Sequence, residues 1–261
     1  MLEITNFEIV GWEHAIRGMR NPMNSWAKSD SVFCSEQDGC YNCANRYDTE
    51  CPGRAHMEGT SLVPGEVGPE DHRLMMSLAK GGPVHAKYRR MITVYLDINA
   101  PLYWWKEFDT YKVGTVANSC STMHKIHAKE FEVSDFSMEH LMSYDEGIED
   151  EFLVCTSGDR FSPTTAMYLI IDMLNHARQK YLLAKAKPMK DASKRAGLMK
   201  KYWWQMIQLL PTSYNQKRTV MLNYEVLHGI YHSRRHHKLD EWHTFCDWIE
   251  TLPYSEIITA E

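Results

Sequence analysis

No stretch of this chain approaches the roughly 18 consecutive apolar residues that a membrane-spanning helix requires, which excludes an apolar transmembrane helix. The opening residues, Met1-Leu-Glu-Ile-Thr-Asn6, lack the basic flank and apolar core of a secretory signal, so a cytoplasmic protein is expected. Internal repeats and low-complexity tracts are absent too, which excludes solenoids and linker-type disorder. There is no excess of positive charge. The formal net charge is −5, so a zinc-stapled nucleic-acid-binding module is the weakest of the readings.

What is present is ordinary globular composition, with 44% apolar and 24% charged residues over 261 positions, enough for a sizeable core. The order of elements predicts one α+β domain spanning residues 1–261. Phe7 to Val10 reads as a strand, Glu13 to Arg20 as a helix ended by Asn21-Pro22, and Pro69 to Lys80 as a helix closed by Gly81-Gly82-Pro83. Arg90 to Ile98 is a β-branched and aromatic strand, and Pro101 opens a helix through Trp104, Trp105 and Phe108 to about Tyr111. Thr164–Ala186 and Lys190–Leu210 read as two long helices, the first led by Ser162-Pro163. A short strand over Arg218–Asn223 and helices over Tyr224–Ser233 and Asp240–Thr251 complete the chain.

An insertion at about residues 30–68 breaks this pattern. It is polar and aperiodic, and it holds four of the seven cysteines, Cys34, Cys40, Cys43 and Cys51. The two-residue gap between Cys40 and Cys43 lets both thiolates reach one ion from a tight turn. Thiolates select zinc or an iron–sulfur cluster, and nothing nearby suggests electron transfer, so a structural zinc is the first reading. Four unligated thiols are the other.

The segment Asp109-Thr-Tyr-Lys-Val-Gly-Thr-Val-Ala-Asn-Ser-Cys-Ser-Thr-Met-His124 concentrates hydroxyls, an amide and basic groups in what reads as a loop. That chemistry suits a phosphate or a polar heterocycle. Asn118 and Ser121 are equally suited to capping the loop itself. Trp104 and Trp105 can stack on a ring or fill the core. Five of the thirteen histidines lie between His228 and His243, with Arg234, Arg235 and Lys238. On a helix His228, His232 and Arg235 share a face, open to a phosphate or simply a solvated basic helix end.

The order of these motifs resembles the flavin-dependent thymidylate synthases. Gly82-Pro-Val-His85 occupies the place of the family's Gly-His-x-Ser turn, Met91–Ile98 its strand and Pro101–Phe108 its helix. Thr110-Tyr111-Lys112 stands where the family has Arg-His-Arg, and Asn118-Ser-Cys-Ser121-Thr-Met-His124 where it has Asn-Glu-x-Ser-x-Arg-Tyr. Asn223-Tyr-Glu-Val-Leu-His228 resembles the Asn-headed helix and His232-Ser-Arg234-Arg235 the Leu-Arg segment. The resemblance implies that family's α+β fold with a mixed or antiparallel sheet. It also implies C5 methylation of a uridine nucleotide, dUMP, by reduced flavin (FAD) and a folate one-carbon donor, in a homotetramer with sites between subunits.

Carried over residue by residue, it implies that Ser121 and Asn118 act at the reacting nucleotide, with Ser121, His124, Arg234 and Arg235 binding substrate. It implies that His85, Tyr111, Lys112, Asn223 and His228 bind the cofactor. The family uses no enzymic cysteine nucleophile, so Cys120 is not read as one. The alternative is a catalytically inactive scaffold of the same fold that serves as a binding or regulatory protein, with the zinc-stabilised insertion.

Overall fold

In the computed structural model of this protein the described residues are 2–33, 62–63, 65–143, 154–156, 159–188 and 190–260. Strand β1 (Glu3–Val10) leads through Gly11 into helix α1 (Trp12–Arg20). Gly11 sits at φ +96°, and a Cβ there would fall 2.0 Å from the Met91 carbonyl oxygen, so both the turn and the close approach require glycine. Asn21-Pro22 ends α1 as the sequence predicts, continuing as a single 3₁₀ turn.

A two-residue pair, β2 (Val32–Phe33) with β3 (Gly65–Glu66), is antiparallel and joins the chain on either side of residues 34–61. Cys34, Cys40, Cys43 and Cys51 lie outside the described residues. Among the described residues no three His, Cys, Asp or Glu groups come together to hold a metal. Helix α2 (Pro69–Lys80) has the predicted bounds, with proline in its first turn and Gly81 at its end.

A polar knot joins the end of α1, the segment before β2 and the start of α2. The Asp71 carboxylate is fully buried and accepts hydrogen bonds from Arg20 Nε (2.5 Å), Ser29 Oγ (2.6 Å), Ser31 Oγ (2.7 Å) and the backbone N–H groups of Asp30 and Ser31. Asp30 in turn accepts from the first N–H groups of α2, at Glu70 and Asp71. The Asp71 carboxylate thus closes the donors of two segments, the end of α1 and Ser29–Ser31, as a buried charge must.

Strand β4 (Thr93–Pro101) buries Val94, Leu96, Ile98 and Ala100 in alternation. It starts later than the predicted Arg90, because residues Ala86–Met91 wind into a 3₁₀ turn. It also runs through Pro101 rather than ending before it. The N–H groups of Leu102 and Tyr103 donate to Tyr214 and Thr212 carbonyls, which carries the chain extended past the proline before helix α3 (Leu102–Phe108) begins.

The segment expected as a loop contains a strand, β5 (Val116–Ser119), and a four-residue helix, α4 (Thr122–Lys125). Strands β6 (Val154–Thr156) and β7 (Asp159–Phe161) form an antiparallel pair. Helices α5 (Pro163–Ala186) and α6 (Ala192–Leu209) follow, capped by Ser162 and Asp191. Strand β8 (Asn215–Asn223) and helices α7 (Tyr224–Arg234), α8 (Asp240–Glu250) and α9 (Glu256–Thr259) end the chain. No helix among the described residues is long and apolar enough to cross a membrane.

The main sheet has the order β1-β4-β8-β5. Backbone bonds from Tyr224 to Ile92 and from Leu102 to Tyr214 set β4 antiparallel to β8, which puts Asp97 opposite Thr219. The fold is therefore α+β with an antiparallel sheet, as expected.

The chain divides into two compact units. One comprises the described residues of Asn99–Glu107 and Ser119–Arg218; its core gathers Ile126, Phe131, Phe136, Met167, Ile171 and Leu174. The other comprises Leu2–Ile98, Phe108–Asn118 and Thr219–Glu261; its core includes Trp12, Ile92, Tyr224, Trp242, Phe245 and Ile249.

Candidate functional site

Helix α7 organises the second unit's polar residues. It starts where it does because Asn223 Oδ1 accepts the Val226 N–H at 3.0 Å, an N-cap that ends β8. Gly114, at φ +78°, packs here: a Cβ on it would meet Asn223 Nδ2 and Val226 Cγ2, each at 3.1 Å. Tyr224, Leu227, Ile230 and Tyr231 turn inward to the core. That leaves Glu225, His228 and His232, at i, i+3 and i+7, on another face.

Arg89, from the 3₁₀ turn before β4, lies against that face. Its guanidinium is 2% exposed and its Nη1 is 3.6 Å from Glu225 Oε2. Arg89 Nε and Nη2 and Glu225 Oε2 are buried without a hydrogen-bond partner. Buried charged donors left unpaired cost about 1–3 kcal/mol or more each, so this arrangement carries an unfilled demand for an acceptor. His228 Nδ1 lies 2.7 Å from the Ile258 carbonyl oxygen, which can only accept, so the ring proton sits on Nδ1 and Nε2 is left as an acceptor. Burial holds the His228 pKa below the ordinary histidine value, and the charges of Arg89 and His232 add to this. The His232 ring stands 4.4 Å from it.

A second cluster in the same unit joins Tyr111 to Arg234. Arg234 Nε donates to the Tyr111 hydroxyl at 2.8 Å. Its guanidinium lies 5.6 Å from the Tyr111 ring centre and 4.9 Å from that of Trp242, a cation–π arrangement in which Trp242 is wholly buried. Arg235 forms an ion pair with Glu250 and lies over the Tyr231 ring. Both arginines that the sequence offers for a phosphate therefore hold partners within the chain. Lys112, Asn118 and His85 are exposed, Asn118 on β5 and His85 just ahead of the 3₁₀ turn.

In the first unit Ser121 is the N-cap of α4, its Oγ accepting the His124 N–H at 3.0 Å. Its hydroxyl proton remains available to donate. Trp104 and Trp105 are both buried, which overturns a stacking role for them. The Trp105 indole N–H donates to the Gln216 carbonyl, and the Arg218 guanidinium covers the ring at 4.1 Å. The structure thus unites Tyr111 with Arg234, His228 with His232, and Ser121 with His124.

Arg89 and Glu225 are the residues that sequence reasoning passed over. The only signals were the Arg89-Arg90 doublet ahead of the strand and a glutamate three positions before His228.

No protein-family model matches the sequence, and no curated protein matches it either. Solved structures do. A Helicobacter pylori thymidylate synthase X (ThyX) with FAD and dUMP is 16% identical, with a TM-score of 0.55 over 98% of this chain and 96% of that one. A second structure of the flavin-dependent thymidylate synthase ThyX of that organism, complexed with FAD and dUMP, gives a TM-score of 0.54 at the same identity and coverage. The chain therefore has a ThyX-like fold along nearly its whole length.

Proposed function

We propose that the protein acts on a uridine nucleotide, methylating C5 of dUMP with reduced flavin and a folate one-carbon donor. The observation that carries this reading is the Arg89 guanidinium, buried, with two unpaired N–H donors, beside the Glu225, His228 and His232 face of α7. A phosphate or diphosphate oxygen is the acceptor that a planar guanidinium fork fits best. The fold supports the reading, since the ThyX structures it resembles were solved with FAD and dUMP.

The residues fit an anionic cofactor or nucleotide in this sense. Arg89 would take a phosphate. His228 would offer Nε2 as an acceptor, and the Tyr111–Arg234 pair a flat cationic edge. His85, Lys112 and Asn223 stay in the proposed cofactor set, Asn223 through its free Nδ2 edge. Ser121, Asn118, His124, Arg234 and Arg235 stay in the proposed nucleotide set, with Ser121 and Asn118 orienting the base through one hydroxyl donor and one amide. The flavin, when bound, supplies the hydride and the folate supplies the carbon. A homotetramer belongs to the same proposal.

Adding FAD to the purified protein is expected to give a yellow complex with quenched flavin fluorescence. With a reductant and a folate donor, tritium is then expected to be released from C5-labelled dUMP. A protein that takes up no flavin and releases no tritium would sink the enzyme reading.

The inactive-scaffold reading is favoured by one observation: Arg235 is tied to Glu250, and Arg234 to Tyr111 and Trp242, where a synthase needs free cations. It predicts a colourless protein that still binds dUMP.

We further propose a structural zinc on Cys34, Cys40, Cys43 and Cys51. Elemental analysis is expected to find about one zinc per chain, with the four thiols unreactive until a chelator is added. Four freely reactive thiols in metal-free protein would refute it.

A further inference from the structure

The first unit holds a pocket of about 350 Å³ that the nucleotide reading leaves almost wholly unused. Three aromatic rings wall it: Trp203 of α6, Tyr181 of α5, and His127 just beyond α4. Met123 and Met199 add polarisable thioethers, and Lys200 and His124 bring the only groups able to carry charge besides the His127 ring and the Tyr181 hydroxyl. None of the lining residues is acidic. Its volume falls at the low end of the roughly 300–1,000 Å³ typical of small-molecule sites.

Hydrogen bonds hold the walls in place. The Trp203 indole N–H donates to the Met123 carbonyl at 2.9 Å, and Arg178 Nε donates to the His127 carbonyl at 3.1 Å. Asn175 clamps the Phe131 backbone with both its amide atoms. The His127 and Tyr181 rings lie 4.5 Å apart. His127 Nδ1 is buried and has no hydrogen-bond partner. Burial lowers the His127 pKa, and the charges of Lys185, Lys125 and Arg178 lower it further, so the ring is neutral in a positive surrounding field.

We propose that this pocket binds a planar aromatic anion, its ring among Trp203, Tyr181 and His127 and its acidic group held by Lys200 and His124. Flat π walls recognise a ring by stacking and edge contact, and an acid-free cationic rim selects negative charge. A pyrimidine nucleotide and an aryl carboxylate share that chemistry. Apart from His124, no residue of the pocket belongs to the nucleotide set proposed above.

The test is isothermal titration of the full chain with UMP in one arm and p-aminobenzoylglutamate in the other. At least one is expected to bind with a Kd below about 1 mM. Lys200→Glu, a change at an exposed position, is expected to weaken that binding by about tenfold or more, as is Met199→Trp, which fills the cavity. The double variant Arg89→Met/Glu225→Leu is expected to keep it. Binding of neither probe overturns the proposal. So does binding that withstands both pocket substitutions, including UMP binding lost only in the Arg89→Met/Glu225→Leu chain, which would belong to the α7 cluster instead.

Discussion

Replacing Asp71 by alanine is expected to destabilise the protein by about 3–5 kcal/mol. Asp71 is fully buried, and its loss strands the equally buried Arg20 guanidinium together with the hydroxyls of Ser29 and Ser31. Asp71→Asn keeps the shape and part of the hydrogen bonding and is expected to cost less. The effect carries a pH dependence of definite sign. Burial alone would raise the Asp71 pKa, but hydrogen bonds from Ser29, Ser31 and Arg20 and the Arg20 charge outweigh it, so the net shift is downward. With the folded value below the unfolded value of 3.8, the unfolded chain takes up the proton first as pH falls. The stabilisation is thus complete above about pH 4 and fades below it. Urea unfolding of the native and Asp71→Asn chains between pH 3 and 7 checks this; a gap that stays constant to the acid end would show that Asp71 is not held charged.

The double substitution Arg89→Met/Glu225→Leu is expected to weaken FAD binding by about tenfold or more while leaving thermal stability equal or higher. A buried ion pair replaced by apolar residues of similar volume is often neutral or stabilising by about 1–4 kcal/mol. Here the gain is favoured because Arg89 Nε and Nη2 already lack acceptors. A ligand that supplies those acceptors loses at least about 1.5–3 kcal/mol with the guanidinium, a tenfold or greater drop in affinity. Arg89→Lys keeps the charge without the planar fork and is expected to bind at an intermediate level. The opposite pattern, unfolding with unchanged binding in whatever folded fraction survives, would make Arg89 a structural residue and remove the main support for the nucleotide reading.

Much of the fold is written in local chemistry. Helix α2 has the bounds that Pro69 and Gly81 dictate, and α5 begins at Pro163 because Ser162 caps it. Residues Tyr224 onward are helical because Asn223 can accept the Val226 N–H. These signals act within one turn of backbone, so the sequence carries them directly. The boundaries that moved depend on distant partners. Pro101 stays extended because Leu102 and Tyr103 bond to residues beyond position 210. Val116–Ser119 is a strand although all four side chains are exposed; the edge of β8 makes it one, and the Cys120 N–H donating to the Lys217 carbonyl continues the pairing. No periodic pattern announces a strand whose faces are both wet.

The candidate site divides along the same line. The sequence by itself determined the caps, the glycine turns, the histidine face of α7 and an order of motifs that resembles the ThyX enzymes. Tertiary structure alone decided that Arg234 meets Tyr111 across 123 residues, that Trp104 and Trp105 are core, and that Arg89 is stripped of water beside Glu225. The reason is physical. Capping and turn preferences are set by neighbouring atoms, whereas desolvation and long-range pairing arise only when remote segments close over a group, and no residue type encodes which segments those will be.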